Sequence, residues 1–162
     1  MTTDQIMSAD PEDNPGVIAR PPFLMLGCLV LGLALDFAWP APTFPAAVQF
    51  PVGFALIALG IALMALSIRQ FRTAGTNFET YKPTTRIVTE GPYRYSRNPI
   101  YLAGLLGYVG IGVAVDSLWV LALLLPFLGV MHFGVILREE AYLEAKFGAD
   151  YRRYKERVRR WI

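Results

Sequence analysis

No lysine or arginine occurs between Pro21 and Ile68, and none between Asn98 and Leu137. Each of these cation-free stretches divides into two apolar runs. Residues 23–39 and about 46–68 are separated by Pro40, Pro42 and Pro45, and roughly 100–115 and 118–137 are separated by Asp116 and Ser117. A helix crossing a hydrocarbon core of about 30 Å needs about 20 apolar residues. Four such runs in 162 residues, 54% of them apolar, leave room for one domain and no large soluble core. The pattern predicts an all-α polytopic membrane protein with about four transmembrane helices. The first run is short, and the third, at sixteen residues, is the shortest.

Fourteen of the fifteen cations lie in residues 69–99 and 138–162; the other is Arg20. The links between paired runs carry none, so the positive-inside rule places both long polar segments and both termini in the cytoplasm. Residues 1–19 hold Asp4, Asp10, Glu12 and Asp13 and no basic n-region. They read as a disordered acidic tail, and residues 20–162 read as a single domain. The lone cysteine, Cys28, sits in an apolar run and reads as a small packed residue. No zinc spacing, phosphate-cradling loop or nucleophile elbow is present, so neither a metal nor a nucleic-acid partner is expected. Beyond Leu137 the residues Tyr142, Leu143, Phe147, Tyr151, Tyr154 and Val158 recur at helical spacing, with Gly148 as a natural break. They predict C-terminal amphipathic helices, in the plainest reading lying on the membrane surface.

Two polar segments carry the residues able to do chemistry. Residues 85–101, TRIVTEGPYRYSRNPIY, are a loop by their Gly91-Pro92 and Asn98-Pro99 pairs, because a residue before proline is driven from helical geometry. A loop so rich in Tyr, Arg and Asn at a helix start can cradle an anionic or amphipathic ligand, or simply touch lipid headgroups. The second is Arg138-Glu139-Glu140, where carboxylates near a helix C-terminus oppose the macrodipole and need a partner. His132, two turns before Glu139, is an ionisable group at membrane depth and a candidate base, or a histidine bonded to a carbonyl. Asp36 and Asp116 read as solvated caps.

Taken in order, these segments resemble the isoprenylcysteine carboxyl methyltransferase and phospholipid methyltransferase family. The resemblance rests on Thr85-Arg86-Ile87-Val88, Gly91-Pro92-Tyr93, Arg97-Asn98-Pro99-Ile100-Tyr101 and Gly104. Glu139-Glu140, Phe147-Gly148, Tyr151, Tyr154 and Val158 follow. It covers roughly residues 76–160. The resemblance implies S-adenosylmethionine as methyl donor in a cytosol-facing pocket joined to a lateral opening toward lipid. By position, cofactor contacts would come from Thr85, Arg86, Ile87, Val88, Tyr93, Asn98, Pro99, Ile100, Tyr101 and Glu139. The acceptor would be lipophilic or small (a carboxylate, a thiol or a phospholipid amine), and the setting a bacterial inner membrane. Two positions depart from the family pattern. Its Arg-His-Pro is Arg97-Asn98-Pro99 here, and the substrate-binding arginine of the prenylcysteine enzymes is Val135.

An amine acceptor needs a base, for which Glu140 and His132 are the catalytic candidates. Two other readings use the same residues. One is a non-catalytic four-span protein that binds anionic membrane lipid through its basic face. The other is an NADPH-dependent sterol-reductase-like enzyme, for which the chain is short. The methyltransferase reading requires Tyr93, Asn98, Tyr101 and Glu139 to line one cavity.

Overall fold

The computed structural model describes residues 13–162, and these form helices joined by two short links and one long loop, with no strand among them. Helix α1 (Pro21–Ala38) opens on two prolines, where the first turn needs no N–H. Helix α2 (Ala46–Ala74) ends at Gly75, whose left-handed φ of 65° lets its N–H turn back to the Phe71 and Arg72 carbonyls. Then come α3 (Pro99–Ala114), α4 (Leu118–Phe147) and α5 (Ala149–Arg157). α1, α2 and α4 are long and apolar enough to cross a membrane, and α3 is a shorter apolar helix of 16 residues.

Two helices outrun the apolar runs that predict them. α2 continues through residues 69–74, and its 29 residues make it about 43 Å long. Its end, with Arg69 and Arg72, therefore stands beyond a hydrocarbon core. α4 continues past Leu137 through the charged residues 138–147, because neither Gly nor Pro interrupts it until Gly148, at φ 53°. Its apolar run ends at Leu137. Within α4, His132–Ile136 form a π-helical segment.

Close packing of α2 on α3 depends on small residues. A Cβ at Gly60 would lie 2.7 Å from the Ala103 carbonyl oxygen, and one at Gly53 would lie 2.6 Å from the Ala114 Cβ. Without a hydrophobic force between helices in lipid, such backbone approach is what holds them. α1 packs instead on α4, where Gly32 meets Val120. Phe127, Met131 and Val135 of α4 form a core with Met25 and Cys28 of α1 and Tyr101 and Leu105 of α3. Cys28 is thus a packed residue.

At the end of the bundle away from the basic segments, Asp116 accepts hydrogen bonds from the backbone N–H groups of Thr43 (2.9 Å) and Phe44 (2.8 Å) and from Gln49 Nε2 (3.1 Å). The expected solvated cap is instead a knot joining both short links. Asp36 also differs from a solvated cap: its Oδ1 is shielded and has no hydrogen bond among the described residues.

Of the expected tail, residues 1–12 lie outside the described residues. Residues 13–20 run along α4. Asp13 pairs with Lys146 at 2.6 Å and accepts from Tyr142 Oη, and Arg138 Nη1 donates to the Gly16 carbonyl. The Ile18 N–H reaches the Gly134 carbonyl in the π segment, and its side chain fills the space that a Cβ at Gly134 would take.

Candidate active site

The loop between α2 and α3 is shaped by short-range geometry. Gly91, at φ 59°, starts a 3-10 turn (Gly91–Arg94) that turns Tyr93 inward, with 5% of its surface exposed. The Tyr93 ring meets Phe71 of α2 edge-on, with centroids 5.3 Å apart. Asn98 precedes Pro99, the first residue of α3. The loop is then covered by α5. Tyr151, Tyr154 and Val158 are buried against Ile87, Leu143 and Phe147. The aromatic face expected on the membrane surface is therefore turned onto the loop.

The C-terminal segment, from α5 onward, pins the same loop by hydrogen bonds. Tyr154 Oη donates to the Tyr93 carbonyl (2.8 Å), and the Arg97 N–H donates to the Arg159 carbonyl (3.0 Å). Ser96 Oγ and Asn98 Nδ2 both donate to the Arg160 carbonyl, at 3.3 and 3.1 Å. Asn98 is thereby a brace between loop and C-terminus, a role that its side-chain amide suits.

The two adjacent glutamates have different partners. Tyr101 Oη donates to Glu139 Oε1 at 2.6 Å. Arg160 binds Glu140 bidentately, Nε to Oε1 at 2.8 Å and Nη2 to Oε2 at 2.9 Å, while Arg97 Nη1 lies 3.0 Å from Oε1. Both carboxylates stand past the apolar part of α4. Burial pushes the Glu139 carboxyl up to about 7, and the neighbouring Glu140 charge adds to this, although the Tyr101 hydrogen bond opposes it. Burial works against Glu140 as well, but Arg160, Arg97 and Lys155 together outweigh it and hold the carboxyl below its ordinary value. Burial also raises Tyr93 well above the usual phenol range, with Tyr154 and Glu139 contributing.

These groups line one cavity of about 680 Å³, within the roughly 300–1,000 Å³ typical of small-molecule sites. Arg86, Ile87, Val88, Tyr93, Asn98, Ile100, Tyr101, Glu139 and Glu140 all face it. Thr85, Pro99 and His132 are not on its wall. Thr85 is bonded to Thr76 and Gly75, Pro99 is enclosed in the helix start, and His132 sits edge-on to Phe133, with centroids 4.8 Å apart. Toward the spans the wall becomes apolar. Pro22, Met25, Met64 and Gly104 also line a second, apolar cleft of about 630 Å³ between α1, α2 and α3.

Sequence reasoning missed several wall residues. Arg20 and Pro15 come from the segment expected to be a tail or its edge, and Tyr81 stands under the Arg20 guanidinium at 4.8 Å. Tyr142, Tyr151 and Tyr154 were visible as a helical stripe, but nothing local tells which surface that stripe covers. Arg97 was visible only as a neighbour of Asn98.

The cavity therefore combines a carboxylate with a pKa near neutrality, buried aromatic groups, and an apolar extension into the spans. Among known families, the phospholipid methyltransferases match residues 48–150, more than half of the chain. The chain belongs to that family. The matched region takes in the whole of the loop, α3 and α4. Relatives include an uncharacterized protein of Haemophilus influenzae, 52% identical over 44 residues, which are 24% of this chain and 70% of that protein. The cobalt-zinc-cadmium resistance protein CzcN of Cupriavidus metallidurans is 39% identical over 69 residues, 41% of this chain and 32% of its own length. The nickel-cobalt-cadmium resistance protein NccN of Alcaligenes xylosoxydans xylosoxydans is 34% identical over 66 residues, 41% of this chain and 31% of its own. The chain thus spans about a third of the two resistance proteins. No solved structure matches it.

Proposed function

We propose that this phospholipid methyltransferase family member transfers a methyl group from S-adenosylmethionine to a lipophilic acceptor held partly in the bilayer. The observation that carries the reading is convergence: Tyr93, Asn98 and Tyr101, from one stretch of chain, and Glu139, 38 residues beyond Tyr101, line one cavity. The residues fit such a donor. Glu139 can receive an ammonium or ribose hydroxyls, and Tyr93 and the backbone of residues 86–88 can flank a nucleoside. The donor's sulfonium, when bound, supplies an already activated methyl group.

What remains for the protein is alignment and exclusion of water. The Tyr101–Glu139 hydrogen bond fixes the carboxylate that would orient the donor. The apolar cleft, which shares Pro22, Met25, Met64 and Gly104 with the cavity wall, would give an acceptor's chain a place among α1, α2 and α3, with its polar end toward the cavity. A carboxylate or thiolate acceptor needs no base. Glu140, engaged by Arg97 and Arg160, is assigned a positioning role, and His132 none in the transfer. The basic end of the bundle is assigned to the cytoplasm, in a bacterial inner membrane, so that the cavity meets a soluble donor.

The non-catalytic reading has as its premise that the loop and Glu139 stay apart; their convergence favours the enzyme. Calorimetric titration of the purified protein with S-adenosylhomocysteine tests the proposal. Binding is expected, weakened about ten-fold or more by Glu139→Ala and unchanged by Asp36→Ala. No binding at millimolar ligand, or equal losses in both variants, would reject it.

A further inference from the structure

Residues 13–20 form no helix and are held by a single stripe of α4. Gly134, Arg138, Tyr142 and Lys146 recur every four residues and so share one side of that helix. Along it, in the opposite chain direction, the Gly134 carbonyl accepts the Ile18 N–H (3.2 Å) and Arg138 Nη1 donates to the Gly16 carbonyl (2.8 Å). Tyr142 and Lys146 then hold the Asp13 carboxylate, at 2.8 and 2.6 Å. Residues 13–20 lie outside the region matched to the family, so this arrangement is a property of the chain itself.

The same segment is part of the cavity wall, where Pro15 and Arg20 stand beside Thr84 and Tyr142. The Tyr142 hydroxyl donates to Asp13 Oδ1 and accepts from the Thr84 N–H (3.3 Å) and from Lys146 Nζ (3.0 Å). Its one donor and both lone pairs are thereby used. Three pieces of chain (the N-terminal segment, α4 and the loop) close on one oxygen. On the α5 side the wall is sealed by buried Tyr93, Tyr151 and Tyr154. On the N-terminal side Arg20 is exposed, and Tyr81 beneath its guanidinium is half-exposed. A soluble ligand therefore has its access on the side that residues 13–20 cross.

The hold on this segment is graded. Ile18 is tied to the π segment and its side chain covers Gly134, whereas the Asp13 and Lys146 side chains remain 34% and 28% exposed. Ion pairs open to water are weak and screened by salt, so the Asp13 end lets go first. Gly16, at φ 58° with its N–H on Asn14 Oδ1 (2.9 Å), supplies the bend between the two ends. We propose that residues 13–20 are a latched strap across the water-facing entrance of the cavity, with Gly16 as hinge and the Asp13–Tyr142–Lys146 cluster as catch. Opening the catch carries Pro15 out of the wall and takes from Tyr142 the partner that steadies it against Thr84. Strap and loop part together, and a ligand enters or leaves.

The strap does not depend on which donor the cavity takes; S-adenosylhomocysteine serves as probe on the reading above. Its binding kinetics on the full chain in lipid nanodiscs are measured by surface plasmon resonance, beside hydrogen exchange without ligand. Asp13→Asn is expected to speed association and release together, each by about three-fold or more, with affinity little changed. Molar salt should do the same to the unaltered protein and add little to Asp13→Asn. Gly16→Ala, which has space for its methyl group but disfavours the left-handed backbone, should also speed both rates. The exchanged pair Asp13→Lys with Lys146→Asp should restore slow rates in part. Without ligand, Asp13→Asn should raise exchange in residues 14–20 and 80–88 alike. Unchanged rates in Asp13→Asn, or lost affinity without faster association, overturn the strap and leave the donor reading standing. If the probe does not bind, the donor reading falls and exchange decides. Faster exchange in both segments upholds the strap, and faster exchange in one alone or in neither overturns it.

Discussion

Glu139 and Glu140 are indistinguishable as letters, and their difference arises from one step of about 100° around a helix. That step turns Glu139 to Tyr101 and Glu140 to Arg160, twenty residues further along the chain. Sequence reading found both carboxylates and the need for partners, but not which partner each has, because Arg160 is joined to the site only through the turn at Gly148 and the fold of α5. Their environments make a prediction about pH. An ordinary glutamate titrates near 4.3, and burial raises Glu139 to about 7 in the fold. Between those values the unfolded chain has released a proton that the folded chain keeps, so this residue lowers stability as pH rises through the window. Glu139→Gln removes the effect. Its melting temperature should gain on the parent's from pH 5 to pH 8, measured by circular dichroism in detergent, and a constant difference would contradict the assignment. Ligand binding runs the other way: affinity for S-adenosylhomocysteine should rise with pH through 7 as the carboxylate forms.

Helix packing separates glycines that look alike in a composition table. Gly60 faces the α3 backbone at a distance no side chain fits, whereas a Cβ at Gly107 would meet nothing within 4 Å. Gly60→Val should therefore destabilise the bundle by about 1–3 kcal/mol, the usual cost of overpacking. Gly107→Ala should be neutral or stabilising by up to about 1 kcal/mol, since alanine is the better helix former. Thermal unfolding of the two variants in the same detergent checks the contrast, and a larger loss at Gly107 than at Gly60 would contradict it. The helices themselves were legible. Residues 100–115 predict what is α3 within one residue, because Pro99 and the Asp116-Ser117 link are local signals. The ends of α2 and α4 were not, because hydropathy falls at the membrane boundary while hydrogen bonding along a helix does not. The π segment was also invisible, since its Gly134 carbonyl finds Ile18 from more than a hundred residues away.

Across the whole molecule, the motif order along the chain was readable, whereas closure of the cavity was not. The family resemblance placed Tyr93, Asn98, Tyr101 and Glu139 in a shared site, yet three carbonyls that brace this site come from Tyr93, Arg159 and Arg160. Carbonyls carry no sequence signature. Removing residues 158–162 is therefore expected to leave the spanning helices folded by far-ultraviolet circular dichroism and to abolish S-adenosylhomocysteine binding. Retained affinity would mean that the loop holds its shape without the C-terminal brace. The Asp116 knot has a counterpart to this at the far end of the bundle. There one side chain ties both short links together, while the opposite end is hollow. On the proposed reading such a body would act as tongs. With the pivot fixed, a tilt of about 5° in a helix about 30 Å long would carry its free end by about 3 Å, which would part the jaws for the proposed acceptor while the tie at Asp116 stayed whole.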